Sequence, residues 1–170
     1  MKPVNYPSSN ELRWVRPKRQ RHIYELHSED AVLATVNWKG AANASALVES
    51  ANGSWTIAQH GLAQTITIKD TNSQTDLATI KRGITGNITL SFPNGRVFRW
   101  HCTSFWRSTW SWVDADNRPV LHLKTGTSVQ LEAGAQDVPE LTALLTLGWY
   151  LYKQQQQEAA FVGAIVAITG

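Results

Sequence analysis

Residues 137–153 read DVPELTALLTLGWYLYK. Asp137, a proline in what would be the first turn, and Glu140 together form a helix start signal. From Leu141 to Tyr152 the sequence is apolar on every helical face, apart from two threonines and one glycine. A helix without a polar face has to be surrounded on all sides, either by lipid or by protein.

The length of this apolar run separates the two alternatives. A membrane-spanning helix needs about 20 apolar residues, whereas this run ends at Lys153, which four glutamines follow. We therefore favour burial inside the protein and predict a core helix at about residues 138–155. Residues 156–170 are then a polar, Gln-rich link and an apolar tail, and a membrane anchor is the alternative.

The sequence before the helix has the pattern of β-strands. From Leu12 to Glu132, short runs of β-type residues alternate with period two and are separated by turn residues. We count about twelve runs, at the spacing typical of a sandwich or barrel. The clearest hairpin has the turn Pro93-Asn94-Gly95, where proline fixes φ and Asn-Gly accepts positive φ. Residues 1–10 are polar and are predicted to be a flexible lead-in to a domain at 11–155.

Several stretches of the sequence, together with this order of elements, resemble a known protein family. They are Tyr24-Glu25-Leu26 with Val32-Leu33-Ala34, then Gly95-Arg96-Val97-Phe98-Arg99-Trp100, then Trp106, Trp110 and Trp112 with Asp114, and last residues 144–151. Over residues 12–155 the chain resembles the tubby C-terminal-like family, which includes tubby-like proteins, plant LURP-one-related proteins and phospholipid scramblases. The resemblance implies a mainly β fold, namely a closed antiparallel barrel of about twelve strands around one buried hydrophobic C-terminal helix.

The family resemblance also bears on function. Tubby domains bind phosphoinositides through a basic surface pocket, so the resemblance implies an anionic phospholipid as the ligand. The residues of that pocket do not align here one by one, and none is carried over. The sequence lacks the cysteine-rich segment and the calcium-binding segment of scramblase-type members, which argues against lipid scrambling.

Positive charge is concentrated in the N-terminal segment. The net charge is +3, yet up to His22 Glu11 is the only acidic residue among many basic ones. The candidate anion-binding residues flank one predicted hairpin turn, beside Trp14 and Tyr24: Arg13, Arg16, Lys18, Arg19 and Arg21. Such a hairpin can insert an aromatic ring at a membrane interface while its basic residues contact lipid phosphate. The alternative is a solvated arm or an edge strand protected by its charges.

Other functions find less support. A second basic set is dispersed along the sequence and is compatible with a solvated outer barrel face: Lys81, Arg82, Arg96, Arg99 and Arg107. A nucleic-acid backbone could also attract the basic hairpin, but neither an RNP signature nor a recognised helix motif is present.

No catalytic motif, metal site or cofactor is predicted. The sequence has no G-x-S-x-G elbow, and Ser104 is close to His101 and Asp114 only in sequence. The five histidines lack metal-binding spacing; His101 and His122 could meet across strands, although hydrogen-bonded surface histidines are the favoured interpretation. Cys102 is the only cysteine, which excludes an internal disulfide and a cysteine-based zinc site.

The sequence therefore predicts a non-enzymatic binding module that contacts anionic phospholipid or phosphoinositide head groups. The N-terminus does not read as a secretory signal, so we expect a cytoplasmic protein that is peripheral to the membrane. The alternative is a structural or protein-interaction domain, in which the apolar tail docks on a protein partner. A hydrolase would require a histidine and a carboxylate within reach of each other in a deep pocket.

Overall fold

The computed structural model describes residues 1–3, 9–18, 22–39, 45–60, 65–83, 87–104, 106, 108–125 and 127–169, with the side chains of the last helix described up to Ala160. The elements are β1 (Glu11–Val15), β2 (Ile23–Ser28), β3 (Ala31–Lys39), β4 (Ser45–Ser50), β5 (Gly53–His60), β6 (Thr65–Asp70), β7 (Asp76–Arg82), β8 (Ile88–Ser91), β9 (Val97–Cys102), β10 (Thr109–Val113), β11 (Pro119–Lys124), β12 (Ser128–Leu131) and α1 (Leu141–Thr169).

The twelve strands form a closed antiparallel barrel, as predicted. Each strand pairs with its neighbours in sequence, and β1 closes the barrel by pairing with β12, with Leu12 opposite Val129. The interpretation of the N-terminal segment as an edge strand is wrong, because β1 also pairs with β2, where Trp14 lies opposite Leu26. Closure leaves β1 no unpaired edge that charges would have to protect.

The two ends of the barrel are distinguished by the path of α1. Since consecutive strands are antiparallel, successive connections lie alternately at the two ends. Glu140, just before α1, accepts a hydrogen bond from Asn94 in the β8–β9 connection; we call this the entry end. Lys153 lies with its Nζ 4.9 Å from the ring centroid of Tyr24, at the start of β2; we call this the exit end.

The helix fills the barrel between these two ends. Every residue from Leu144 to Leu151 is buried. Near the exit end the Trp149 ring lies 5.2 Å from Trp14, 4.5 Å from Tyr24 and 6.0 Å from Trp38, centroid to centroid. The apolar helix is thus enclosed by protein over this part, which confirms the predicted barrel around a buried helix.

The helix begins later than predicted. A 3-10 turn at Ala135–Asp137 comes first, and Val138 after it is extended, with φ −87 and ψ 109. The ring of a proline disfavours the helical region for the preceding residue, so Pro139 delays the start of α1 to Leu141. Glu140 does not contribute a capping box; its carboxylate is held by Asn94 and by Arg96, whose nitrogen is 3.4 Å away.

The helix also continues beyond the predicted end at residue 155. It runs without interruption through the Gln-rich segment to Thr169. Glutamine, glutamate and alanine have high helix propensity, and residues 154–169 contain no proline to stop the helix. No helix in the part of the chain that the structure describes is both long and apolar enough to cross a bilayer.

Gly148 allows α1 to approach β10 closely. The indole Nε1 of Trp112 donates a 2.8 Å hydrogen bond to the backbone carbonyl of Leu144, one helical turn before Gly148. A Cβ placed on Gly148 would lie 2.9 Å from that Nε1 and 3.0 Å from the ring of Trp100. The missing side chain therefore provides the space in which the Trp112 indole reaches the helix backbone.

We expect Gly148→Ala to destabilise the barrel, although alanine is favoured over glycine in an ordinary helix by about 1 kcal/mol. The added methyl group displaces the Trp112 indole, and overpacking of this kind costs about 1–3 kcal/mol. Urea unfolding followed by tryptophan fluorescence measures the change. In a Trp112→Phe background the same substitution should cost less, and an equal cost in both backgrounds would contradict the packing assignment.

Candidate functional site: a basic rim at the exit end

The charged residues are separated along the barrel axis. All but two of the 13 acidic residues of the chain belong to connections or strand ends at the entry end; the exceptions are Glu25 and Glu158. The entry-end acids are Glu11, Glu29, Asp30, Glu49, Asp70, Asp76, Asp114, Asp116, Glu132, Asp137 and Glu140. This end of the barrel therefore has a strongly negative surface.

The exit end carries the opposite charge. Its basic residues lie in the β1–β2 connection, at the last position of β3, β7 and β11, and on α1, and we define these described ones as the basic rim: Arg16, Lys18, Lys39, Arg82, Lys124 and Lys153. Lys81 is exposed next to Arg82 but precedes the last position of β7, so it is not counted in the rim. The described acidic residues nearest this end are Glu158 on α1 and Glu25, which lies opposite Val15 of β1. All members of the rim except Lys153 are exposed. The fold thus gathers positive charge from distant parts of the sequence around the point where α1 leaves the barrel.

A cavity of about 360 Å³ lies beside the helix at this end. Lys153 contributes to its wall and also lies over the Trp149 ring, with its Nζ 5.8 Å from the centroid. The lining residues are His22, Tyr24, Trp38, Lys153, Gln156, Gln157 and Ala160. Cationic, aromatic and amide groups therefore lie together where α1 leaves the barrel.

A buried tyrosine lies just inside the exit end. Burial raises the pKa of Tyr150 to about 12, against the opposing effects of the nearby Gln154 amide and of the positive charge of Arg82. The hydroxyl group therefore stays protonated at neutral pH, and Tyr150 adds no negative charge beneath the basic rim.

The predicted N-terminal site is only partly assembled at this end. Arg16 and Lys18 belong to the basic rim, while Arg13 lies on the outer face in the middle of β1. Arg19 and Arg21 lie outside the described residues.

Of the two aromatic residues beside the predicted basic hairpin, Trp14 is not placed to insert into a membrane. Trp14 is 4% exposed and packs on Trp149 inside the barrel. An exposed aromatic residue does exist at the exit end, in the β9–β10 connection. It is Trp106, which is 84% exposed.

The second basic set does not form one surface. Lys81 and Arg82 are at the exit end of β7, whereas Arg96 faces Glu140 at the entry end. Arg99 donates to the backbone carbonyls of Asp114 and Ala115 at 3.3 and 3.0 Å, also near the entry end. Arg107 lies outside the described residues. The set is divided between two ends of opposite charge, and only its Arg82 enters the basic rim.

Comparison of the chain with protein-family models, with curated proteins and with solved structures gave no match.

One side-chain arrangement has the outline of a hydrolytic triad. Ser111 on β10 hydrogen-bonds to Nδ1 of His122 on β11, and Nε2 of His122 lies 3.1 Å from the Glu132 carboxylate. No local sequence pattern indicates this group, because its members come from three places that only the strand register brings together. Ser104 and Asp114, by contrast, lie at opposite ends of β10 and cannot cooperate.

The exposure of Ser111 argues against nucleophilic chemistry at this triad. Ser111 is 0% exposed. A nucleophilic hydroxyl must approach the carbonyl group of its substrate to about 3 Å, and a buried Oγ leaves no room for that group. The hydroxyl is also near Thr103 Oγ1, at 3.4 Å. We interpret Ser111, His122 and Glu132 as a hydrogen-bonded network that ties the outer faces of neighbouring strands together.

The entry end has a cleft of its own, of about 350 Å³. Arg96, Asp114, Asp116 and Asp137 contribute charges to its wall. Within the described residues, no group of three or more histidine, cysteine or acidic side chains is arranged to hold a metal ion. The carboxylate of Asp114 accepts hydrogen bonds from the backbone of Asp116 and Arg118 at 2.9 and 2.8 Å, and so shapes the β10–β11 turn.

Proposed function

We propose that this protein is a binding module that attaches to membranes rich in anionic phospholipid, with the basic rim facing the lipid head groups. The observation that carries the proposal is the axial separation of charge, with the basic rim at one end of the barrel and nearly all acidic residues at the other. A negatively charged membrane attracts the exit end and repels the entry end. The charges therefore select one orientation of the barrel as well as favouring attachment.

The strength of this attraction is sufficient for reversible binding. Each basic residue near an anionic membrane contributes about 1 kcal/mol. The exposed rim residues contribute together about 5 kcal/mol, which corresponds to millimolar or tighter affinity before any apolar contact is added. Binding of this kind depends on ionic strength, because salt screens exposed charges over about 10 Å at 0.1 M.

A lipid surface fits the exit end better than a nucleic acid does. A phosphate backbone would need basic residues along a groove or a stripe, whereas the rim residues encircle a projecting helix. The exposed Trp106 belongs to the same end, and tryptophan is enriched where proteins meet the membrane interface.

The proposal agrees with the family resemblance in the sequence. Tubby domains bind phosphoinositides, and we propose that the chain is a compact member of the tubby C-terminal-like family. In this proposal the basic rim takes the place of the pocket whose residues could not be aligned. The apolar tail as a docking element for a protein partner is the competing function.

The test is flotation of the unmodified protein with phosphatidylcholine vesicles, with and without phosphatidylserine or a phosphoinositide. We expect binding only to the anionic vesicles, with most of it lost between about 0.1 M and about 1 M NaCl as the screening length falls from about 10 Å to about 3 Å. Absence of binding to every vesicle at low salt would overturn the proposal. Equal binding to neutral and anionic vesicles would also refute the role of the basic rim.

A further inference from the structure

We infer that the part of α1 outside the barrel inserts into the hydrocarbon region of the same anionic membrane, with residues 159–169 as the inserting segment. This inference rests on the proposed function, and it adds a second, apolar contact to the electrostatic one. Its starting point is the path of the helix, which leaves the barrel at the exit end, where Lys153 of the basic rim lies over Tyr24.

The polar and the apolar part of the projecting helix lie at the depths of two successive layers of a lipid leaflet. At 1.5 Å per residue, the polar segment from Gln154 to Glu158 covers about 7 Å, close to the thickness of the head-group region on one side of a bilayer. Residues 159–169 cover about 16 Å, roughly half of a 30 Å hydrocarbon core. Once the rim meets the head groups, the apolar segment is at the depth of the acyl chains.

The composition and backbone of this segment suit the same environment. Residues 159–169 read AAFVGAIVAIT and contain no charged residue. The backbone is helical up to Thr169, and only hydrogen-bonded backbone is tolerated in lipid. Ala159 and Ala160, the last residues whose side chains are described, are exposed. The first two residues of the apolar portion are therefore exposed where the helix leaves the barrel.

Two weak contacts are expected to act together. A short apolar segment gives only marginal membrane binding, and stable attachment requires a second signal such as a polybasic patch. The basic rim supplies that second signal at the base of the helix. The choice of an anionic bilayer as the occupant, over a protein groove, follows from the positive charge that surrounds the exit point.

Spin labels measure the insertion directly. A nitroxide at Ala164→Cys in a Cys102→Ser background reports collisions with oxygen, which concentrates in lipid, and with a polar nickel chelate, which stays in water. With vesicles containing phosphatidylserine, we expect the oxygen collisions to rise and the nickel collisions to fall severalfold. A label at Asn117→Cys, which lies at the entry end, should change little.

A variant of the segment provides the second measurement. The combined change Phe161→Ser, Ile165→Ser and Ile168→Ser should weaken vesicle binding more than about tenfold, because each serine removes apolar surface from the lipid. Ala51→Ser, Ala115→Ser and Ala133→Ser add the same number of serines at exposed positions of the entry end and should bind nearly normally. A melting temperature equal to that of the unmodified protein shows that the barrel is intact in both variants.

The possible outcomes separate this inference from the proposed function. If the protein binds anionic vesicles but the label at Ala164→Cys remains accessible to the nickel chelate, insertion is overturned. Attachment through the basic rim would still hold in that case. Unchanged affinity of the three-serine tail variant would overturn insertion as well. Failure of the unmodified protein to bind any vesicle would remove both claims.

Discussion

Leu145→Asp is expected to prevent the protein from folding. Leu145 lies within the barrel and is 2% exposed. It belongs to the stretch of α1 from Leu144 to Leu151, in which every residue is buried. A carboxylate there is either charged without a partner or protonated at an energetic cost, and the leucine packing is lost as well. The combined penalty is more than about 5 kcal/mol, which equals or exceeds the stability of many domains of this size.

Tryptophan fluorescence and near-ultraviolet circular dichroism measure this effect, since Trp149 and Trp112 report on the packing around α1. Gln157→Asp is the matched control, because it places the same carboxylate on the exposed part of the same helix. The control should unfold at nearly the denaturant concentration of the unmodified protein. A soluble Leu145→Asp protein with a cooperative unfolding transition would contradict the enclosure of the helix by the barrel.

Most of the fold could be predicted from local sequence. Each predicted strand corresponds to an observed one within a few residues, since period-two alternation and turn residues are local signals. The Pro93-Asn94-Gly95 turn is closed by a bond from the Phe92 amide to the Arg96 carbonyl, and Gly95 has φ +85. The predicted bounds of α1 are wrong at both ends. Pro139 delays the start of the helix to Leu141, and the strongly helical glutamine segment carries it to Thr169 despite its polar composition.

The site was harder to predict, because it depends on which connections share one end of the barrel. The sequence places most of the basic excess before His22, but the rim also needs Lys39, Lys124 and Lys153 from later parts of the chain. In a closed meander barrel, every second connection lies at the same end of the barrel. Applied to the sequence, that rule groups the turns with Lys39, Arg82 and Lys124 apart from those with Asp70 and Asp116.

Two further features show where local reasoning is limited. The inward position of Trp14 follows from its alternation with Arg13 in β1, which is a local signal. The meeting of Ser111, His122 and Glu132 depends instead on the register between β10 and β11, where Ser111 lies opposite His122. Nothing in the local pattern of either strand specifies that register.

The second large effect is expected from neutralising part of the basic rim. Arg16→Ser, Lys18→Ser and Lys39→Ser together remove three exposed charges from the exit end. At about 1 kcal/mol for each basic residue, the loss is about 3 kcal/mol, or roughly a hundredfold in affinity for anionic vesicles. The substitutions lie on the outer surface or in connections, so the stability of the barrel should change little.

The matched control removes the same number of charges from the opposite end. Lys2→Ser, Lys69→Ser and Arg118→Ser give the same net charge as the rim variant, and the exposed ion pairs that they break, from Lys69 to Asp76 and from Arg118 to Asp116, contribute little to stability. If only net charge mattered, the two variants would bind equally. The orientation set by the basic rim predicts a large difference between them.

Flotation of these two triple variants with phosphatidylserine-containing vesicles, side by side at low salt, separates attachment through the basic rim from attraction by net charge. We predict that the rim variant loses roughly a hundredfold in affinity, while the entry-end variant stays within about twofold of the unmodified protein. Equal affinities for the two variants, or a larger loss for the entry-end variant, would contradict the assignment of the basic rim as the membrane-binding surface.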